Sequence, residues 1–321
     1  MRARAVPRRF ASPMFDRRRF TASCLATLSA RSFATAPALA AQTGPVALPG
    51  TFVHPLPDPA SGRRYEAWVD VPSTSDAGAG PRPAVFVTDA PYAFPLVRSL
   101  RNRVGQGGRN LAEFVLVGLA PPADESSGDM RNRDYTPTDP LARPWRPGES
   151  YGGKRYGGGA DYVRYLADIA VPALSAHYGL DPARRVILGH SYGALLAAQL
   201  LFERTTLFSH YVLGSPSLWF DHDVMFEREA GYAKSHHDLP AKVFQYVGAF
   251  EAVGSGRRYN TDNDLVRDAR RFDRTLARRG YPSLSIETHV LADEDHLTVA
   301  PRGATLGLLW ALPGRGPYDG G

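Results

Sequence analysis

The stretch Val186-Ile187-Leu188-Gly189-His190-Ser191-Tyr192-Gly193-Ala194-Leu195-Leu196-Ala197-Ala198 decides how this 321-residue chain is read. A short apolar run with β-branched residues enters as a buried strand, and an alanine–leucine run leaves as a helix. Between them lies G-x-S-x-G, the pattern of a nucleophile elbow. A serine on so sharp a strand-to-helix turn has its hydroxyl exposed. The turn crowds the backbone two residues to either side, where Gly189 and Gly193 remove the Cβ. The following helix points its N-terminus at the site, so the Tyr192 N–H can help bind an oxyanion. Ser191 is therefore the candidate nucleophile.

A serine hydroxyl is a poor nucleophile without a base. In this arrangement the partners follow in the order serine, acid, histidine. His296 fits as the base, because Asp293-Glu294-Asp295-His296 follows the last predicted strand. His289 lies inside that strand run. His190 neighbours the nucleophile and reads as a packing or substrate-contact residue. The acid is expected on the loop after the strand Val243 to Val247. Glu251 sits there, with Asp262 and Asp264 as later alternatives. Its role would be to orient the imidazole and stabilise the imidazolium.

Around this centre, apolar runs alternate with helical periodicity. Strands are predicted at Tyr65 to Val71, Ala84 to Thr88, Glu113 to Leu119, Arg185 to Leu188, Tyr211 to Leu213, Val243 to Val247 and Ser285 to Leu291. Helices are predicted at Ala93 to Arg103, Asp161 to Tyr178, Ser191 to Glu203, Asp264 to Arg279 and Thr298 to Leu312. Gly280-Tyr281-Pro282 stops the fourth helix, and Asp181-Pro182 marks a turn. This alternation predicts an α/β fold in one domain, with a mostly parallel central sheet flanked by helices. Residues 120–160 are rich in Pro, Gly and charge, with Trp145, Tyr151 and Tyr156 interspersed, and read as a long loop. Gly152, Gly153 and Gly157 to Gly159 lack the Gly-Lys-Ser/Thr ending of a phosphate cradle. His236-His237-Asp238 and Asp221-His222-Asp223 offer no complete metal-ligand set and read as solvated polar segments.

Charge is unevenly placed. Residues 1–40 hold eight arginines and one acid, Asp16, a net +7 against +6 for the whole chain. The remainder is −1, which argues against a nucleic-acid surface. Those forty residues have the layout of an export signal: basic through Arg17-Arg18-Arg19-Phe20, mildly apolar to Leu28, and small at Ala38-Leu39-Ala40. The run Asp16 to Phe20 resembles the twin-arginine signal, read by a receptor that exports folded proteins. The apolar run is too short and broken for a membrane anchor. Cys24, the sole cysteine, lies in this leader, so the remaining chain has no disulfide or thiolate chemistry. The expected organisation is a signal over 1–40, an irregular lead-in over 41–62, the α/β domain over 63–315 and a tail over 316–321.

Four stretches resemble the esterase-D-like branch of the α/β hydrolases, which includes the periplasmic siderophore esterases. They are Val85-Phe86-Val87-Thr88-Asp89, Arg131-Asn132-Arg133-Asp134-Tyr135-Thr136-Pro137, the elbow followed by Ser215-Pro216-Ser217-Leu218-Trp219, and Glu251 with the acidic His296 loop. The resemblance implies an α/β-hydrolase fold of one domain, without metal or cofactor, that hydrolyses esters through an acyl-enzyme. The substrates of the branch include the trilactone backbones of catecholate siderophores, so a ferric siderophore is an expected small-molecule partner. Many members have Gly after the Asp and then a residue whose N–H serves the oxyanion hole. This chain has Ala90 and Pro91, and proline has no N–H. The second donor falls to Ala90, Tyr92 or elsewhere.

Arg131 and Arg133 are expected to meet an anionic substrate through charge-assisted hydrogen bonds, with Tyr92, Trp219 and His190 as further substrate-binding candidates. Two other activities use the same nucleophile, acyl transfer and thioester hydrolysis. A non-catalytic binding protein on the same scaffold would be expected to lack Ser191 or His296.

Overall fold

The protein was analysed as a computed structural model that describes residues 47–72, 80–142 and 154–317. The expected export signal with Cys24, the loop residues Trp145 and Tyr151 to Gly153, and the end of the tail lie outside the described residues.

Eight strands form one sheet: β1 (Thr51–Pro57), β2 (Arg64–Asp70), β3 (Arg82–Val87), β4 (Val115–Ala120), β5 (Leu180–His190), β6 (His210–Gly214), β7 (Lys242–Gly248) and β8 (Ser285–Leu291). Their spatial order is β1-β2-β4-β3-β5-β6-β7-β8. The β1/β2 and β2/β4 pairs are antiparallel, and the five pairs from β4 to β8 are parallel. This is the mostly parallel sheet that the alternating pattern predicts. Chain direction across the sheet reverses at the β3/β5 neighbours, which places a topological switch point at their carboxyl ends.

The helices are α1 (Ala90–Arg103), α2 (Ser127–Asp134), α3 (Gly159–Tyr165), α4 (Val171–Tyr178), α5 (Tyr192–Glu203), α6 (Phe220–Ser235), α7 (Leu265–Arg279) and α8 (Val299–Ala311). A π-helical turn, Leu166–Ala170, joins α3 to α4 within what the sequence reads as one helix. Strand side chains alternate between two cores. Val186 and Leu188 of β5 pack with Val97 of α1 and Leu308 of α8, while Ile187 packs with Leu196 of α5 and Phe272 of α7. Every residue of α5 from Gly193 to Phe202 is buried, as befits a helix that is apolar all round.

Several expectations are corrected. The lead-in is not irregular, because Thr51–Pro57 pair with β2 in full register. The 120–160 stretch contains α2, capped by Ser126 accepting from the Asp129 N–H at 3.1 Å, and a 3₁₀ turn at Pro140–Ala142. Its apolar content is too low to show helical periodicity, since the buried positions of α2 are Met130, Asn132 and Asp134. Asp181-Pro182 lies in a bulge of β5, opposite the register shift between Arg82 and Ala84. Asp221-His222-Asp223 is not a solvated segment. The three residues take successive left-handed φ values of 42°, 61° and 63° at the start of α6, and Asp221 is fully buried with Thr138 Oγ1 on its carboxylate.

Candidate active site

The elbow forms where β5 meets α5. Ser191 adopts φ 58° and ψ −119°, a strained geometry in which the side chain stands clear of both elements. The two glycines are required by space. A Cβ on Gly189 would lie 2.3 Å from the Gly193 carbonyl oxygen, and one on Gly193 would lie 2.1 Å from Thr88 Oγ1. The turn is tied to the next strand by Ser191 N–H donating to the Gly214 carbonyl at 2.8 Å.

Glu251 and His296 arrive from different loops and meet. Glu251 ends the 3₁₀ turn that follows β7, and its side chain is wholly buried. His296 lies between β8 and α8, with its side chain 36% exposed. His296 Nδ1 is 2.6 Å from Glu251 Oε1. The other carboxylate oxygen accepts from the Ser215 hydroxyl at 2.6 Å and the Gly248 N–H at 2.7 Å. Burial of this carboxylate is thus matched by three hydrogen bonds. Donation through Nδ1 leaves Nε2 of a neutral imidazole as the basic nitrogen. Ser191 Oγ bonds to Ser217 Oγ at 3.3 Å, and no hydrogen bond joins it to His296. Such a contact commonly tightens only when substrate binds.

The rival candidates have other partners. Asp264 caps α7, accepting from the Arg267 N–H at 2.8 Å. Asp262 is exposed, and Thr261 Oγ1 bonds to it at 2.9 Å. His289 sits on β8 against Phe244 and pairs with Glu287.

The starts of α5 and α1 lie close together, since a Cβ on Gly193 would lie 3.0 Å from Asp89 Oδ2. Tyr192 and Ala90 are the first residues of α5 and α1, so neither N–H has an acceptor within its own helix. Tyr92, the alternative donor, spends its N–H on the Asp89 carbonyl at 3.2 Å. Ala90 therefore supplies the candidate second N–H. Asp89 enters α1 in the left-handed conformation, φ 54°, with its carboxylate held by Arg131 Nε at 2.8 Å and Tyr92 Oη at 3.2 Å. Burial nevertheless pushes the Asp89 carboxyl above its usual range, against the opposing pull of Arg131.

Two expected substrate-binding residues are corrected. Arg131 is committed to Asp89 and, at 3.2 Å, to the His190 carbonyl. Arg133 is clamped between Glu125 and Asp134. All three guanidinium nitrogens of Arg133 are engaged, and Arg131 is held through Nε and Nη2 with its side chain 26% exposed. His190 is a packing residue, 9% exposed beneath the His296 ring. Tyr92 is 48% exposed at the rim, and Trp219 stands beside the Tyr192 ring. The roles of Ser215, Ser217 and Asp89 escaped the sequence reading. Their motifs were visible, but which of their atoms meet the acid, the nucleophile and Arg131 was not. Among the described residues no cluster of three or more His, Cys, Asp or Glu side chains could hold a metal ion.

A family model described as "Putative esterase" matches residues 60–248, a span that includes Ser191 and stops short of Glu251 and His296. Among curated proteins, the chain is 26% identical to ferri-bacillibactin esterase BesA of Bacillus subtilis, over 84% of this chain and 92% of the relative. It is 25% identical to a siderophore triacetylfusarinine C esterase of Aspergillus fumigatus, over 54% of this chain and 58% of the relative. Among solved structures, the BES protein of Bacillus cereus superposes with a TM-score of 0.69 at 20% identity, covering 84% of this chain and 99% of that one. Siderophore hydrolase EstA of Aspergillus nidulans gives 0.65 at 20% identity, over 84% and 97%. These likenesses establish the α/β-hydrolase fold.

Proposed function

The chain belongs to this esterase family and is a carboxylic-ester hydrolase, and on that premise we propose that it cleaves ester bonds of a siderophore with Ser191 as nucleophile, His296 as base and Glu251 as acid. Ser191 Oγ attacks the ester carbonyl carbon while His296 Nε2 takes its proton. Glu251 stabilises the imidazolium through Nδ1. The tetrahedral oxyanion is held by the N–H groups of Tyr192 and Ala90. The C–O bond breaks as His296 returns the proton to the leaving alcohol. Water, deprotonated by the same imidazole, then releases the acid from the acyl-enzyme.

The observation that carries this reading is the 2.6 Å contact between His296 Nδ1 and buried Glu251, both on loops that follow the carboxyl ends of strands, as Ser191 does in its strained turn. The siderophore assignment is supported by the names of the relatives. The test is twofold. A fluorophosphonate should label the protein covalently and spare the Ser191→Ala variant. Incubation with ferric and iron-free trilactone siderophores should release the linear acids, resolved by chromatography, and added alcohols should gain no acyl group. Labelling retained in Ser191→Ala would place the nucleophile elsewhere, and acyl-alcohol products would make the protein an acyltransferase.

We also infer that residues 1–40 direct export to the periplasm or outside the cell by the twin-arginine route. The support is the basic, apolar and small-residue layout around Arg17-Arg18-Arg19-Phe20.

A further inference from the structure

His190 is a histidine inside the nucleophile elbow with no part in the proton transfers above. Its environment is specific. The ring is buried between Tyr246, stacked at a centroid distance of 6.3 Å, and His296, at 4.7 Å. Its Nε2 lies 2.8 Å from the backbone carbonyl oxygen of His296. A carbonyl only accepts, so Nε2 carries the proton. Nδ1 is buried with no hydrogen-bond partner among the described residues. Behind the ring is a cavity of about 10 Å³ bordered by Thr88, Tyr92, Val97, Tyr246 and Ala304. That is about the room of one water and too little for the imidazole to swing into.

We propose that His190 is a positioning residue, whose neutral Nε2–H holds the His296 backbone at the height from which its imidazole reaches Ser191. Three points support this. The His296 loop is reached from β8, and its ring is part-exposed, so its reach to the serine needs a fixed anchor. His190 immediately precedes Ser191, so the anchor and the nucleophile share one rigid turn. The His190 carbonyl is itself held by Arg131 Nη2 at 3.2 Å, which secures the turn from the side of Asp89.

The charge state is consistent with this geometry. Burial pushes the His190 pKa down to about 3, and His296 and Arg131 lower it further as like charges, while the bond to the His296 carbonyl opposes them. The groups facing the ring are His296, Arg131, Tyr92 and Tyr246. A second cation here would oppose the imidazolium that His296 becomes during acyl transfer, whereas a neutral donor holds the loop without that repulsion.

The proposal rests on His296 acting as base, and the experiments separate the two. In the wild-type protein, ¹⁵N shifts of histidine, with the His190 signal assigned from its loss in His190→Gln, should show a neutral Nε2–H tautomer from pH 7 down to about pH 4, because burial holds the His190 pKa down to about 3. An Nδ1–H tautomer would overturn the proposal whatever His296 does. Kinetically, His190→Phe keeps the ring and removes the donor. It should lower kcat by roughly 10- to 100-fold, in line with small misplacements of reacting groups, leave KM little changed, and slow fluorophosphonate labelling in parallel. His190→Gln, whose amide N–H can reach the same carbonyl, should recover most of the loss. His190→Phe at wild-type kcat, or His190→Gln as damaged as His190→Phe, would overturn the proposal. Wild-type activity in His296→Ala would instead overturn the underlying assignment of the base.

Discussion

In the proposed triad Glu251 orients a partner, and His296 moves protons. At the scale of single residues this difference gives an order of mutational damage. His296→Ala should cost nearly as much turnover as Ser191→Ala, because a hydroxyl without its base stays protonated and the two residues act as a unit. Glu251→Ala should be about one to two orders of magnitude milder, since the acid transfers no proton itself. Steady-state kinetics on the three variants with one chromogenic ester checks the order. Wild-type turnover in Glu251→Ala would remove the acid from the scheme. Ser191 and His296 were legible in the sequence as candidates, because their type and order follow from the chemistry of acyl transfer, while position alone left Asp262 and Asp264 beside Glu251. Arg131 and Arg133 were misread for a physical reason. An arginine looks the same in a sequence whether its guanidinium faces solvent or an internal carboxylate. Here Asp89, Glu125 and Asp134 had already claimed both.

Elements with strong periodicity or punctuation were legible, and those without were not. α7 shows a helical stripe of Leu265, Val266, Ala269, Phe272 and Leu276 and ends at Gly280 in the left-handed conformation, as predicted. Its N-terminus depends on Asp264, which bonds the Arg267 N–H. Asp264→Ala should destabilise the protein by about 1 kcal/mol, the usual worth of an N-cap, and leave kcat unchanged. Denaturant unfolding beside an ester assay measures both. A large loss of activity at full stability would give Asp264 the acid role instead of Glu251. β1 was hidden because His54, Pro55 and Pro57 interrupt the apolar alternation. Proline at these positions is tolerated because β1 is an edge strand. α2 was hidden because Asn132 and Asp134 take two of its three buried positions, and α6 because Asp221, His222 and Asp223 break its first turn with left-handed backbone.

For the molecule as a whole, buried imidazoles set part of the response to acid. His190 and His210 have pKa values pushed down to about 3 and about 4, chiefly by burial, against an ordinary value of 6.5. Between those limits the unfolded chain binds protons that the folded chain refuses. Stability should therefore rise with pH across the window from about 3 to 6.5, with no further contribution from these groups above it. Unfolding curves at pH 4.5 and pH 7 test this. His210→Phe, which keeps an aromatic ring against Trp310, should narrow the gap between the two curves. An unchanged gap would show that His210 has no part in it. Export also belongs at this scale. Protein isolated from its native host should begin near Ala41, and replacing Arg17 and Arg18 by Lys should retain it in the cytoplasm. Mature protein that still carries Met1 would count against the leader.

The sequence by itself determined the class of chemistry, the candidate nucleophile and base, and the alternation that makes a parallel sheet. These rest on local signals: glycines on either side of a crowded turn, apolar runs of strand length, and a histidine after the last strand. Only the tertiary structure decided that Glu251 is the acid that meets His296. It also decided that Arg131 pairs with Asp89, and that His190 faces the His296 backbone. Each of these is a contact between residues far apart in the chain. Such contacts depend on the register of eight strands and on the placement of the loops that follow them. Local propensity carries no record of either.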